Sequence, residues 1–127
     1  MAYTTIIVML ALIEYMYFGY AVGSARGRTG IKAPAVSGDE VFERYFRVHQ
    51  NTLEQLVVFI PAIYATTMFI GEIYAVAGGV AFMIGRAVYF RAYTKDPEKR
   101  GPGAMITMLA NTLMVLASLV AATIAVL

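Results

Sequence analysis

A chain of 127 residues that is 60% hydrophobic and only 14% charged, with a mean hydropathy of +0.69, is too apolar for a soluble domain and belongs in a bilayer. Its net charge of +2 is too small to argue for nucleic acid as a partner. The absence of cysteine excludes disulfides, thiolate metal sites and a protein-borne sulfur nucleophile. A single histidine, His49, excludes a multi-histidine centre within one chain, so no metal is expected and thiol chemistry must use a substrate's sulfur.

Four apolar runs, Tyr3–Ser24, Leu53–Ile70, Ile73–Tyr93 and Met105–Leu127, each approach the roughly 20 residues needed to cross a hydrocarbon core. The expected fold is an all-α membrane protein, a bundle of four transmembrane helices forming one domain over residues 1–127. The first run lacks the basic start and small-residue cleavage site of a signal peptide, so it is expected to remain in the mature chain. Glu14 falls in its middle and should be protonated or turned toward the bundle interior. Gly19 and Gly23 offer a smooth patch for helix packing.

Ser37-Gly38-Asp39-Glu40 reads as a capped helix start that runs on into the second span. Within it Arg47, Asn51 and Glu54 fall at spacings of four and three, stacking a cation, an amide and a carboxylate on one face. Arg44 lies one turn earlier. A carboxylate at that depth should face protein and find polar partners, serving either a polar ligand or an ion-pair network that registers the helices. His49 is rotated about 200° from Arg47 and reads as a packing or capping residue. Pro61 should kink its helix.

The short connection at Gly71-Glu72 makes the second and third spans antiparallel neighbours. On the third, Arg86, Tyr89 and Tyr93 recur at spacings of three and four, forming a stripe that is either an interfacial aromatic belt or part of a site. Pro97, Gly101 and Gly103 are expected to end that helix in a tight turn, leaving Arg100 near the membrane surface. Asn111 in the fourth span reads as an interhelical hydrogen-bonding residue. All ten basic residues lie around the first and third connections, so the positive-inside bias puts those loops in the cytoplasm and both termini outside. That topology fits a bacterial inner membrane or the endoplasmic reticulum, and the short loops favour the bacterial one.

The segment Glu43-Arg44-Tyr45-Phe46-Arg47-Val48-His49-Gln50-Asn51-Thr52-Leu53-Glu54 resembles the signature of the MAPEG family, membrane-associated proteins in eicosanoid and glutathione metabolism. Arg86, Tyr89, Phe90, Tyr93 and Arg100 are similar to a second pattern in its glutathione-binding members. The resemblance implies a homotrimer with glutathione as co-substrate between subunits, held by Arg47, Asn51, Glu54, Tyr89 and Tyr93, with Arg86 and Arg26 as further contacts. It also implies Arg100 as the catalytic residue, a cation that favours the glutathione thiolate. The ligand's chemistry agrees: two carboxylates suit arginine forks, an ammonium suits Glu54, and its amides suit Asn51 and the phenols.

The implied function is a membrane-bound glutathione transferase that attacks lipophilic electrophiles and also reduces lipid hydroperoxides. Membrane lipids would surround it and deliver apolar substrates sideways. Two departures bear on this expectation: Pro97 should interrupt the helix carrying Arg100, and Gln55 stands where some members have tyrosine. A non-catalytic lipid-binding member of the same family, and a purely structural membrane subunit, are the alternative readings.

Overall fold

The computed structural model describes residues 1–127 as four long helices without a strand: α1 (Ala2–Thr29), α2 (Glu40–Phe69), α3 (Glu72–Lys95) and α4 (Gly101–Val126), with a 3-10 turn over Pro97–Arg100. All four are long and apolar enough to cross a membrane. The helices outrun the apolar runs that announce them. α1 continues to Thr29, where Gly30 takes the left-handed conformation (φ 75°) and its N–H closes on the Arg26 carbonyl, a termination that glycine permits without strain.

α2 starts where its capping residues place it. The Asp39 carboxylate accepts from the Phe42 N–H at 2.9 Å, and Glu40 and Glu43 occupy the positive end of the helix dipole. From there one helix carries the polar face of Arg47, Asn51 and Glu54 and continues through Pro61 to Phe69. Gly71, at φ 144°, makes the tight reversal into α3. Glu72 just beyond it accepts from the Thr4 N–H at 3.1 Å and pairs with the Met1 amino group, pinning the start of α1 to this turn.

The third connection differs from the expected turn. α3 does stop before Pro97, at Lys95, and the Asp96 carboxylate accepts from the Glu98 N–H at 3.1 Å. Gly101, Pro102 and Gly103, however, form the first turn of α4 rather than a loop. Proline lacks the N–H that a helix leaves unpaired in its first turn, and its fixed φ suits that position.

Between membrane helices there is little hydrophobic drive, because lipid tails are as apolar as leucine, so close packing holds the bundle. Phe59 and Phe82 stack at 4.0 Å in its middle. Small residues let α3 and α4 approach. A methyl group at Gly85 would lie 2.6 Å from Thr107 Oγ1 and 2.8 Å from the Thr107 backbone nitrogen, and one at Gly103 would collide with the backbone of Tyr89. Outward-facing Ile6, Ile13, Leu113, Leu119 and Ile124 remain exposed, the surface a bilayer covers.

Gly85→Ala is therefore expected to destabilise the detergent-solubilised protein by about 1–3 kcal/mol through overpacking against backbone. Gly27→Ala, where a methyl group meets nothing within 4 Å, should leave the melting temperature unchanged or raised. Equal melting temperatures for the two variants would contradict this packing.

Candidate functional site

A polar cavity of about 290 Å³ opens at the end of the bundle that carries the α1–α2 and α3–α4 connections. It is lined by Arg47, Gln50, Asn51 and Glu54 of α2, Tyr89 and Tyr93 of α3, and Arg100 of the 3-10 turn. Its α2 wall follows from helical geometry, since positions 47, 50, 51 and 54 share one face. The cavity holds two permanent cations against one carboxylate, so its field favours an anionic ligand.

The phenol rings of Tyr89 and Tyr93 stack at 5.4 Å. Behind them Tyr89 is buried beside Phe18 and Val48, with Phe90 and Ala104 packed against the same cluster. Phe18 of α1 and Phe90 of α3 lie parallel at 4.6 Å. Arg100 reaches the cavity although Pro97 breaks the helix before it; its guanidinium donates to the Pro97 carbonyl at 3.1 Å.

A second cavity of about 420 Å³ shares Arg47 and Tyr93 with the first and continues toward Glu40, Glu43 and Arg44. Arg44 pairs with Glu40 at 2.9 Å and donates to the Lys95 carbonyl at 3.0 Å, tying the end of α3 to the start of α2.

The structure thus brings six of the expected residues, Arg47, Asn51, Glu54, Tyr89, Tyr93 and Arg100, around one cavity. Arg86 does not line it. It is fully buried behind the cavity, donating to Asn51 Oδ1 at 2.7 Å, Thr107 Oγ1 at 3.0 Å and Thr52 Oγ1 at 3.4 Å, with its guanidinium 4.4 Å from the centre of the Tyr89 ring. Arg26 lies elsewhere, donating to the Ala35 carbonyl at 2.7 Å and covering the Phe42 ring. Within one chain it takes no part in the cavity.

Two contributors escaped sequence reasoning. Gln50 stands four residues before Glu54 and three after Arg47, a spacing that carried the signal. Thr107 gave none, because a threonine in an apolar helix looks like many others. His49 is a packing residue, stacked on Tyr15 at 4.3 Å and lying against Gly19. Asn111 crosses to α2, donating to the Gln55 backbone carbonyl at 3.3 Å and its side-chain oxygen at 3.1 Å. Glu14 turns inward, with one carboxylate oxygen buried and without a hydrogen-bond partner. No group of three or more His, Asp or Glu side chains is arranged to hold a metal ion.

Thr107→Val would leave the Arg86 Nε–H buried without an acceptor, and is expected to cost about 1–3 kcal/mol of stability. Thr107→Ser, which keeps the oxygen, should stay near wild type. A thermal melt in detergent distinguishes them, and a valine variant as stable as the serine one would contradict the bond's importance.

A model of the MAPEG family matches residues 4–120. An uncharacterized protein of Synechocystis is 34% identical over 114 residues, covering 90% of this chain and 83% of its own. Microsomal glutathione S-transferase 2 of Mus musculus is 35% identical over 106 residues, covering 84% and 72%. Leukotriene C4 synthase of Rattus norvegicus is 29% identical over 94 residues, covering 74% and 63%. With a family match that spans nearly the whole sequence and four membrane-spanning helices carrying the polar site at one end, this chain belongs to the MAPEG family.

Proposed function

We propose that this chain is a membrane-bound glutathione S-transferase that joins glutathione to lipophilic electrophiles. The observation that carries this reading is the composition of the polar cavity: two arginines, one glutamate, one asparagine, one glutamine and two tyrosines on three elements. The groups of the tripeptide other than one of its two carboxylates have counterparts there. Arg47 would pair with a carboxylate, Glu54 with the ammonium, and Asn51 and the phenols with the remaining oxygens and amides. The cavity volume lies just below the roughly 300–1,000 Å³ usual for small-molecule sites.

Arg100 is the group we assign to catalysis. A guanidinium beside the thiol stabilises its ionised form and lowers a pKa that is near 8.5 when unperturbed. The thiolate sulfur would then form a bond to an electrophilic carbon, while the departing group or opened ring oxygen takes the electron pair and later a proton. We propose as a second reaction that the same thiolate attacks a lipid hydroperoxide, breaking its O–O bond to release the alcohol, and that a second glutathione then displaces water from the oxidised sulfur to give the disulfide.

Arg47, Gln50 and Glu54 are exposed on the flank of the isolated chain, at the level where α2 enters its apolar run. A neighbouring subunit in a homotrimer would enclose these polar groups, which in lipid would otherwise be costly. Arg26, remote from the cavity of its own chain, would be offered to the neighbour's. We further assign the α1–α2 and α3–α4 connections to the cytoplasmic face, the side supported by the clustering of basic residues there and the side from which glutathione would enter.

Calorimetry in detergent should show saturable glutathione binding by wild type that is lost in Arg47→Ala and Glu54→Gln. Arg100→Leu should retain binding yet lose activity toward an electrophile by about 100-fold or more, with less bound thiolate, read from its ultraviolet absorbance at neutral pH. A folded wild type that binds a lipid but not glutathione would instead favour the non-catalytic lipid-binding reading.

A further inference from the structure

Arg86 lies behind the cavity, and its hydrogen bonds determine what the cavity can recognise. A guanidinium only donates, so every atom it bonds must accept. The Thr107 hydroxyl donates to the Gly103 carbonyl at 3.1 Å and the Thr52 hydroxyl to the Val48 carbonyl at 2.8 Å. Their protons being committed, both oxygens face Arg86 as acceptors, at 3.0 and 3.4 Å.

The shortest of the three bonds, 2.7 Å, goes to the Asn51 side chain. An asparagine amide can be turned either way, but only its oxygen can face a guanidinium. The amide nitrogen is thereby directed away from Arg86, and neither of its hydrogens is used within the chain. Asn51 is at the same time a wall of the cavity.

We infer that Arg86 is a positioning residue that locks the Asn51 amide as a pure donor, so that the cavity selects a ligand with an acceptor oxygen, a carboxylate or peptide carbonyl, at this point. The role extends the glutathione reading and rests on it for the identity of the ligand, but the lock itself exists in the free protein. Arg86 does not touch the ligand; its influence passes through Asn51. Thr52 and Thr107 hold it from α2 and α4, so the donor orientation is set by three helices at once.

A double-mutant cycle on glutathione binding tests the proposal. Arg86→Met and Asn51→Leu should each weaken binding about tenfold, and the double variant should be no weaker than Asn51→Leu alone. Losses that multiply to about 100-fold would mean that Arg86 contacts the ligand itself, and would overturn the role. Asn51→Asp gives an arm that does not depend on Arg86→Met folding. It keeps the acceptor for Arg86 and removes the donor, so it should match wild type in thermal stability while losing glutathione; unchanged binding would overturn the proposal. In ligand-free, isotope-labelled protein, the Asn51 side-chain amide should give one sharp pair of NMR signals that broadens in Arg86→Met, and equally sharp signals in both would contradict the lock. A wild type that showed this NMR behaviour without binding glutathione would sink the ligand assignment and leave the positioning role standing.

Discussion

A permanently charged side chain buried inside a membrane-spanning bundle is the constraint on which the rest of this structure depends. Arg86 is only 1% exposed, and an arginine at bilayer depth costs about 2.5–3.5 kcal/mol even by the mildest insertion scales. The bundle offsets that cost with acceptors drawn from two neighbouring helices, Asn51 and Thr52 on α2 and Thr107 on α4. Thr107 reaches the guanidinium because Gly85 and Gly103 let α3 and α4 approach. The glycines of an apolar interface and the polar residues of the cavity therefore belong to one arrangement.

The position of the cavity follows from the same arrangement. α2 enters as a capped polar helix and becomes apolar without a break, so the face bearing Arg47, Asn51 and Glu54 passes from the loop end into the span. α3 brings Tyr89 and Tyr93 alongside. The 3-10 turn at Pro97–Arg100 then brings Arg100 to the same cavity. A water-soluble anion entering from the loop end and an apolar molecule arriving through the bilayer would meet at this boundary, an arrangement that substitutes positioning for diffusion.

Much of this was legible in the amino-acid sequence because the signals were local. Apolar runs of membrane length marked the four helices, Asp39 marked the start of α2, and the spacing of Arg47, Asn51 and Glu54 marked a wall of the cavity. Boundaries were less legible, since helices keep their hydrogen bonds where the sequence turns polar: α1 persists to Thr29 and α3 to Lys95. Gly101-Pro102-Gly103 looked like a turn because the same residues favour loops and the first turn of a helix. Helical spacing and the family pattern both group Arg86 with Tyr89 and Tyr93. Periodicity tells which residues share a face, but not which helix packs against that face, and it was the approach of Thr107 from α4 and Asn51 from α2 that turned Arg86 inward.

The most direct test of the central claim, that the polar cavity at the loop end is where glutathione binds, is a structure of the protein in lipid with glutathione present. Tripeptide density against Arg47, Asn51 and Glu54, with its sulfur toward Arg100, is the predicted result. Glutathione density at another place in the bundle, or an empty cavity at saturating glutathione, would contradict it.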